Sequence, residues 1–287
     1  METPKLPLSD VLVYKKQIDL SETFHTSGSS VRTKTTYLYY QPAKSKLVEI
    51  PYSPSMGESA ERMLSDCELV KRNLTWFDFD VSHLSSPKRF DRLAIHTYGI
   101  GQELKWQPGQ MLKLKADRHS ITSLVEWSHR FASDGISWFV DFNQGLSASE
   151  LTTFLNSVNL TTCFGIEQPL PIGQVHSSLC KAAPLILDEE MSDIDPAKLL
   201  RLRPKAVVLK PWRYTWLQYK KWHDFLLAEE IPYLVGTMIQ DAAADHLCDQ
   251  LNQRAPIQYE QKDPPLDIEA ILAKATLVGQ LKLLSRI

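Results

Sequence analysis

The chain has 287 residues, 43% of them hydrophobic and 23% charged, with a formal net charge of −2. That balance can fill one large domain, or a barrel with a smaller companion, and gives no electrostatic argument for nucleic acid or an anionic membrane. No run reaches the roughly 18 apolar residues of a membrane span, METPKLPLSD lacks a signal peptide's apolar stretch, and Cys67, Cys163, Cys180 and Cys248 form no CxxC pair, so a cytoplasmic protein with reduced thiols is expected.

In chain order, VLVYKKQI and TKTTYLYYQ read as strands flanking a polar loop, ETFHTSGSSVR. A helix pattern follows in SAERMLSDCELVKRNL, then an irregular stretch with Ser85, Ser86 and Pro87. The first ninety residues therefore predict a small α+β domain. From about residue 110 the chain alternates. MLKLK, ISWFVDFN, TCFGIEQP, PLILDEE, KAVVLKP and PYLVGTM are strand-like, and each is followed by a helical segment, from ITSLVEWSHRFAS to QDAAADHLCDQL. Continuous apolar strands alternating with helices imply a parallel sheet covered on both faces, and so many units favour a closed barrel. A doubly wound sheet is disfavoured because no Gly-rich phosphate turn follows any strand. The tail IEAILAKATLVGQLKLL reads as amphipathic and suited to pack back on the first domain.

In MLKLKADRH, alternation sends Lys113 and Lys115 to one strand face, with Leu112, Leu114 and Ala116 on the other. If that face lines a barrel, the ammoniums need carboxylates across from them, and the following units supply them. Strand ends carry Lys115, Asp141, Glu167, Asp188 and Lys210, at intervals of 26 (115 to 141), 26 (141 to 167), 21 (167 to 188) and 22 (188 to 210) residues. Barrel enzymes place their chemistry at the C-terminal ends of strands. Counting by two puts Phe139 on the face of Asp141, Ile186 with Asp188 and Val208 with Lys210.

Three carboxylates on neighbouring strands, with no thiol or imidazole among the strand ends, are a hard oxygen set suited to Mg²⁺ rather than Zn²⁺. Lysines flank that set on both sides. Beside a divalent ion and a second lysine, an ammonium is expected to have a lowered pKa and to serve as a general base. The chemistry implied is proton abstraction next to a carboxylate, through an enediolate. Taken singly, each residue has an ordinary reading: lysines on a solvated strand edge, an aspartate ending a strand, a glutamate capping a loop, an acidic turn, a surface lysine before proline. Five at regular spacing outweigh that reading. His119, His129 and His223 read as surface residues, and the aromatics Trp76, Phe77, Phe79, Trp212, Trp216 and Trp222 as packing.

The ordered motifs LKLKAD, VDFNQG, GIEQPL, LILDEE and VVLKPW resemble those of the enolase superfamily, in its muconate-lactonizing subgroup, over roughly residues 110 to 240. The resemblance implies an α/β architecture: a modified TIM-type (β/α)7β barrel over 91–255, an N-terminal α+β capping domain over 1–90, and a C-terminal segment, 256–287, packing back on the cap. It implies Asp141, Glu167 and Asp188 as Mg²⁺ ligands, Lys115 and Lys210 as catalytic lysines, and Lys113, Asn143 and Thr237 as substrate contacts. ETFHTSGSSVRT falls where the family has a mobile specificity loop. Within the subgroup the short chain resembles most the o-succinylbenzoate synthases, which dehydrate a cyclohexadiene carboxylate in menaquinone biosynthesis. N-acylamino acid racemases, dipeptide epimerases and cycloisomerases are the alternatives. The expected partner is a small carboxylate substrate, without nucleic acid or membrane, bound by a monomer or small homo-oligomer. The chain departs from the pattern in Phe142, in GTMIQD, in Trp212-Arg213 where relatives have Gly-Gly, and in lacking an Asp-x-Asp within PIQYEQKDPPLD.

Overall fold

The structure, a computed structural model, describes residues 11–26, 29–51, 67–88, 91–99, 110–236, 242–259 and 267–280. Strand β1 (Leu12–Thr26) pairs antiparallel with β2 (Ser29–Gln41), and β3 (Lys46–Pro51) pairs antiparallel with β2. Period-two alternation along β2 turns Tyr37 and Tyr39 toward Val13, Val48 and Ile50, and toward Val70 and Leu74 of helix α1 (Cys67–Leu74). Leu38 points the other way and packs with Ala243 and Ile271. Burying a side chain of this size is worth about 1.5–3 kcal/mol, so both faces of β2 hold the sheet in place.

Of the segment read as a polar loop, residues 22–26 and 29–32 are strand. The pairing of β1 with β2 shifts register between Asp19 and Phe24, then resumes through Phe24 with Val31 to Thr26 with Ser29. Backbone ladder bonds form whatever the side chains are, and Val31, Thr33 and Thr35 are β-branched residues that favour this conformation.

Eight strands then close a barrel whose neighbours are all parallel: β4 (Asp91–Gly99), β5 (Gln110–Lys115), β6 (Ser137–Asp141), β7 (Cys163–Glu167), β8 (Leu185–Leu187), β9 (Ala206–Leu209), β10 (Tyr233–Val235) and β11 (Ile257–Tyr259). From β5 onward the helices α2 (Ile121–Asp134), α3 (Ala148–Ser157), α4 (Ser177–Ala182), α5 (Pro196–Leu202), α6 (Trp216–Ala228) and α7 (Ala242–Asn252) alternate with the strands. The sequence pattern shows six of the eight strands. β4 and the three-residue β11 escape it, and β11 lies beyond residue 255. The C-terminal tail divides into helix α8 (Ile268–Ala273) and strand β12 (Thr276–Gln280), which joins the capping sheet beside β1 with Gln280 opposite Leu12.

Alternation sorts the barrel into two layers. Met111, Phe139, Ile186, Ala206, Val208, Leu234 and Ile257 form the interior cluster. Leu112, Leu114, Trp138, Val140, Leu187 and Leu209 face outward into the helix layer. Caps fix where the helices begin. Ser147 with Glu150 starts α3 and Thr215 with Gln218 starts α6, each a capping box. Gly135, at φ +67°, ends α2.

Cap and barrel meet through aromatics. The Trp76 ring lies 6.2 Å from Trp212, 5.7 Å from Trp216 and 5.5 Å from Tyr219, and its indole N–H donates to the Tyr214 carbonyl at 3.0 Å. His223 is buried rather than on the surface: its ring nitrogens meet the Tyr233 hydroxyl at 2.6 Å and the Ser85 carbonyl at 3.0 Å. Among the described residues no helix is long and apolar enough to cross a membrane.

Candidate active site

The parallel register places Lys115 opposite Asp141 and Asp141 opposite Glu167, one row across β5, β6 and β7 at their C-terminal ends. Asp188 follows the last residue of β8, and Lys210 the last residue of β9. Lys113, Lys115, Asp141, Glu167 and Lys210 line one cavity of about 540 Å³, together with Thr97, Phe139, Leu234, Gly236 and Tyr259. The lysines of β5 thus face the barrel mouth, and the carboxylates they require stand on the next strands.

Contacts within the site are ionic. Lys113 Nζ lies 2.6 Å from Glu167 Oε2 and 3.1 Å from Asp141 Oδ2. Lys115 Nζ pairs with Asp141 Oδ2 and donates to Asn143 Oδ1 at 3.3 Å, while the Asn143 N–H donates to Asp141 Oδ1 at 3.0 Å. Lys210 Nζ is 2.6 Å from Asp188 Oδ2. Thr237 lies outside the described residues.

Four residues contribute here that the sequence analysis does not place in the site. The Arg213 guanidinium, buried beneath the site, sits 2.9 Å from Asp188 Oδ1 and also donates to the Asp188 carbonyl. Gln168, held at φ +34°, accepts from the backbone N–H groups of Asp188 and Glu190, both at 3.0 Å, and donates to the Leu170 carbonyl at 2.9 Å. That knot fixes the end of β7, with Glu167, against the start of the segment bearing Asp188. Asp245 and Asp249, one turn apart on α7, line the cavity wall away from the carboxylate row. Their i, i+4 spacing is the only local signal for them.

Burial and charge divide the acids. Burial works against ionisation of Asp141, yet Lys113 and Lys115 hold its carboxyl well below the usual range. Asp188 is likewise held low against burial by Lys210 and Arg213. Burial, with Asp141 next to it, pushes Glu167 up to about 7. Lys113 is held above its ordinary value. Burial pulls it down, but Asp141 and Glu167 more than offset this and keep the ammonium charged.

Three carboxylates without thiol or imidazole are the donor chemistry that Mg²⁺ takes, and the fold brings them to one barrel end. Among the described residues no three His, Cys, Asp or Glu side chains converge as they stand to enclose an ion; Lys113 stands between Asp141 and Glu167, and Lys210 is paired with Asp188.

No family model matches the sequence, and no curated protein does. Solved structures share the fold. The dipeptide epimerase of Cytophaga hutchinsonii, solved with Mg and D-Ala-L-Val, is 14% identical over 89% of this chain and 88% of its own, with a TM-score of 0.64. An enolase family member from Agrobacterium tumefaciens with homology to dipeptide epimerases is 16% identical over 95% and 98%, with a TM-score of 0.63. The muconate lactonizing enzyme of Pseudomonas fluorescens is 12% identical over 95% and 94%, with a TM-score of 0.66. The chain therefore shares the fold of these proteins, a small antiparallel sheet beside a closed parallel barrel.

Proposed function

We propose that this chain is a Mg²⁺-dependent lyase that dehydrates a cyclohexadiene carboxylate to o-succinylbenzoate. The observation that carries the enzyme reading is that Lys115 and Lys210 line one cavity with Asp141 and Glu167, Lys115 paired with Asp141 and Lys210 with Asp188. The lyase assignment adds to it the ordered motif resemblance. Asp141, Glu167 and Asp188 would hold the metal, which when bound supplies positive charge at the substrate carboxylate. Lys115, across the carboxylate row from Lys210, takes the α-proton and returns a proton to the departing hydroxyl, so that water leaves from one face. Lys210 stays charged and stabilises the anion from the other face. Lys113 and Asn143 orient the substrate, and the apolar cavity wall of Phe139, Val208 and Leu234 keeps water from the reacting carbon.

One observation favours a second reading, a dipeptide epimerase. Asp245 and Asp249 put two carboxylates on the cavity wall, where a substrate ammonium could pair with them. They stand on the helix after β10 rather than in PIQYEQKDPPLD. Incubating the protein and Mg²⁺ separately with the cyclohexadiene substrate, N-acylamino acids and dipeptides tests both. Appearance of o-succinylbenzoate supports the lyase, and exchange of the α-hydrogen in a dipeptide alone overturns it.

A further inference from the structure

We infer that Lys113 is the chain's own counter-cation for the Asp141–Glu167 pair, and that it yields this place when a divalent ion binds. The inference rests on the reading that Asp141, Glu167 and Asp188 are metal ligands.

Asp141 and Glu167 face each other from adjacent strand ends, their side chains 1% and 2% exposed. Two anions so placed and so buried repel strongly unless a cation stands between them. Lys113 Nζ is that cation, within 3.1 Å of both. The other cations are differently committed. Lys115 reaches Asp141 and Asn143, while Lys210 and Arg213 are spent on Asp188. Among the described residues Lys113 alone joins two carboxylates of the proposed ligand set. Its ammonium therefore occupies the point where those two ligands would share an ion.

Lys113 also has room to move. The Lys113 side chain is 16% exposed to the cavity, against 2% for Arg213, which is locked under Asp188. The Phe139 ring, its centroid already 5.3 Å from Nζ, would keep a cation–π contact with the ammonium as it moves off the carboxylates. Metal entry is thus an exchange of one charge for two, with the displaced ammonium left in the cavity facing a substrate carboxylate.

The test is Mn²⁺ titration of the metal-stripped full chain, read by electron paramagnetic resonance, together with thermal melting in chelator and in Mg²⁺. Lys113→Met removes the competitor and is expected to tighten Mn²⁺ binding by about tenfold. It should also melt below the wild type in chelator, with Mg²⁺ closing most of that gap. Lys113→Arg keeps the charge in a bidentate form that grips carboxylates harder and is expected to weaken Mn²⁺ binding. Unchanged or weaker binding by Lys113→Met overturns the inference, as does an equal loss of melting temperature with and without metal. If Lys113→Met does not fold, Lys113→Arg decides: binding equal to or tighter than wild type overturns it. A wild type that binds no Mn²⁺ overturns the metal reading itself, and the inference with it; wild-type binding without the variant effects overturns the inference alone.

Discussion

Glu49 of capping strand β3 accepts a hydrogen bond of 3.1 Å from the backbone N–H of Ala244, in the first turn of barrel helix α7. A carboxylate from one domain thereby satisfies an open N–H at the start of a helix in the other, the helix that carries Asp245 and Asp249 to the cavity. Burial pushes Glu49 up to about 7 from 4.5, against the Ala244 hydrogen bond and Lys16, with Asp245 adding to the rise. A group whose folded pKa is raised stabilises fully below its unfolded value, and loses that contribution as pH rises through the folded value. Melting temperature of the wild type relative to Glu49→Gln should therefore fall between pH 4.5 and about 7 and level off above. A difference independent of pH would show that Glu49 is ionised throughout.

Gly236 borders Lys210 so closely that a Cβ at this position would stand 2.6 Å from Lys210 Cγ and 2.4 Å from Val208 Cγ1. Gly236→Ala should push the lysine off its position over the cavity. Displacing a catalytic group by about 1 Å can cost about a hundredfold in kcat, so a loss of that order is expected, well beyond what a modest fall in melting temperature explains. Activity within a few-fold of wild type would mean that Lys210 does not act at its observed position.

Metal removal gives the third expectation. Chelation should abolish turnover and Mg²⁺ should restore it. Asp141→Ala, Glu167→Ala and Asp188→Ala should each lose metal binding, measured calorimetrically on the folded variants. Full activity of a chelator-treated sample would remove the metal from the chemistry.

The strand-end residues were accessible in the sequence because a period of two has only two outcomes. Once Asp141 faces the lumen, Phe139 must too, and it lies in the interior cluster with Ile186 and Val208. Other features depend on partners remote along the chain. His223 is buried because the Tyr233 hydroxyl and the Ser85 carbonyl satisfy both ring nitrogens, and Ser85 is 138 residues away. Arg213 is bound to Asp188 across 25 residues, so Trp212-Arg213 reads in isolation as a departure from Gly-Gly and nothing more. The distal part of the β1–β2 ribbon was hidden for another reason: strand pairing through backbone groups leaves no apolar alternation in a Ser- and Thr-rich stretch.

The two lysines of the proposed reaction should respond differently to arginine. Lys115 is paired with Asp141 and Asn143 at the end of β5, while Lys210 is paired with Asp188 after β9, so the carboxylate row lies between them. In a dehydration from one face, a single amine takes the α-proton and returns a proton to the hydroxyl, and the opposite lysine contributes charge alone. Guanidinium keeps the charge but cannot act as a base near neutral pH. Lys115→Arg should therefore lose about a hundredfold to ten-thousandfold in kcat, the usual contribution of a general base. Lys210→Arg should retain more activity, limited by how well the larger head fits beside Asp188 and Gly236. In deuterated water, label should enter the α-position from the Lys115 face only. An epimerase uses both lysines, one on each face, as base and acid. It would show both arginine variants equally inactive and label entering from both faces, and that result would replace the lyase reading with the epimerase.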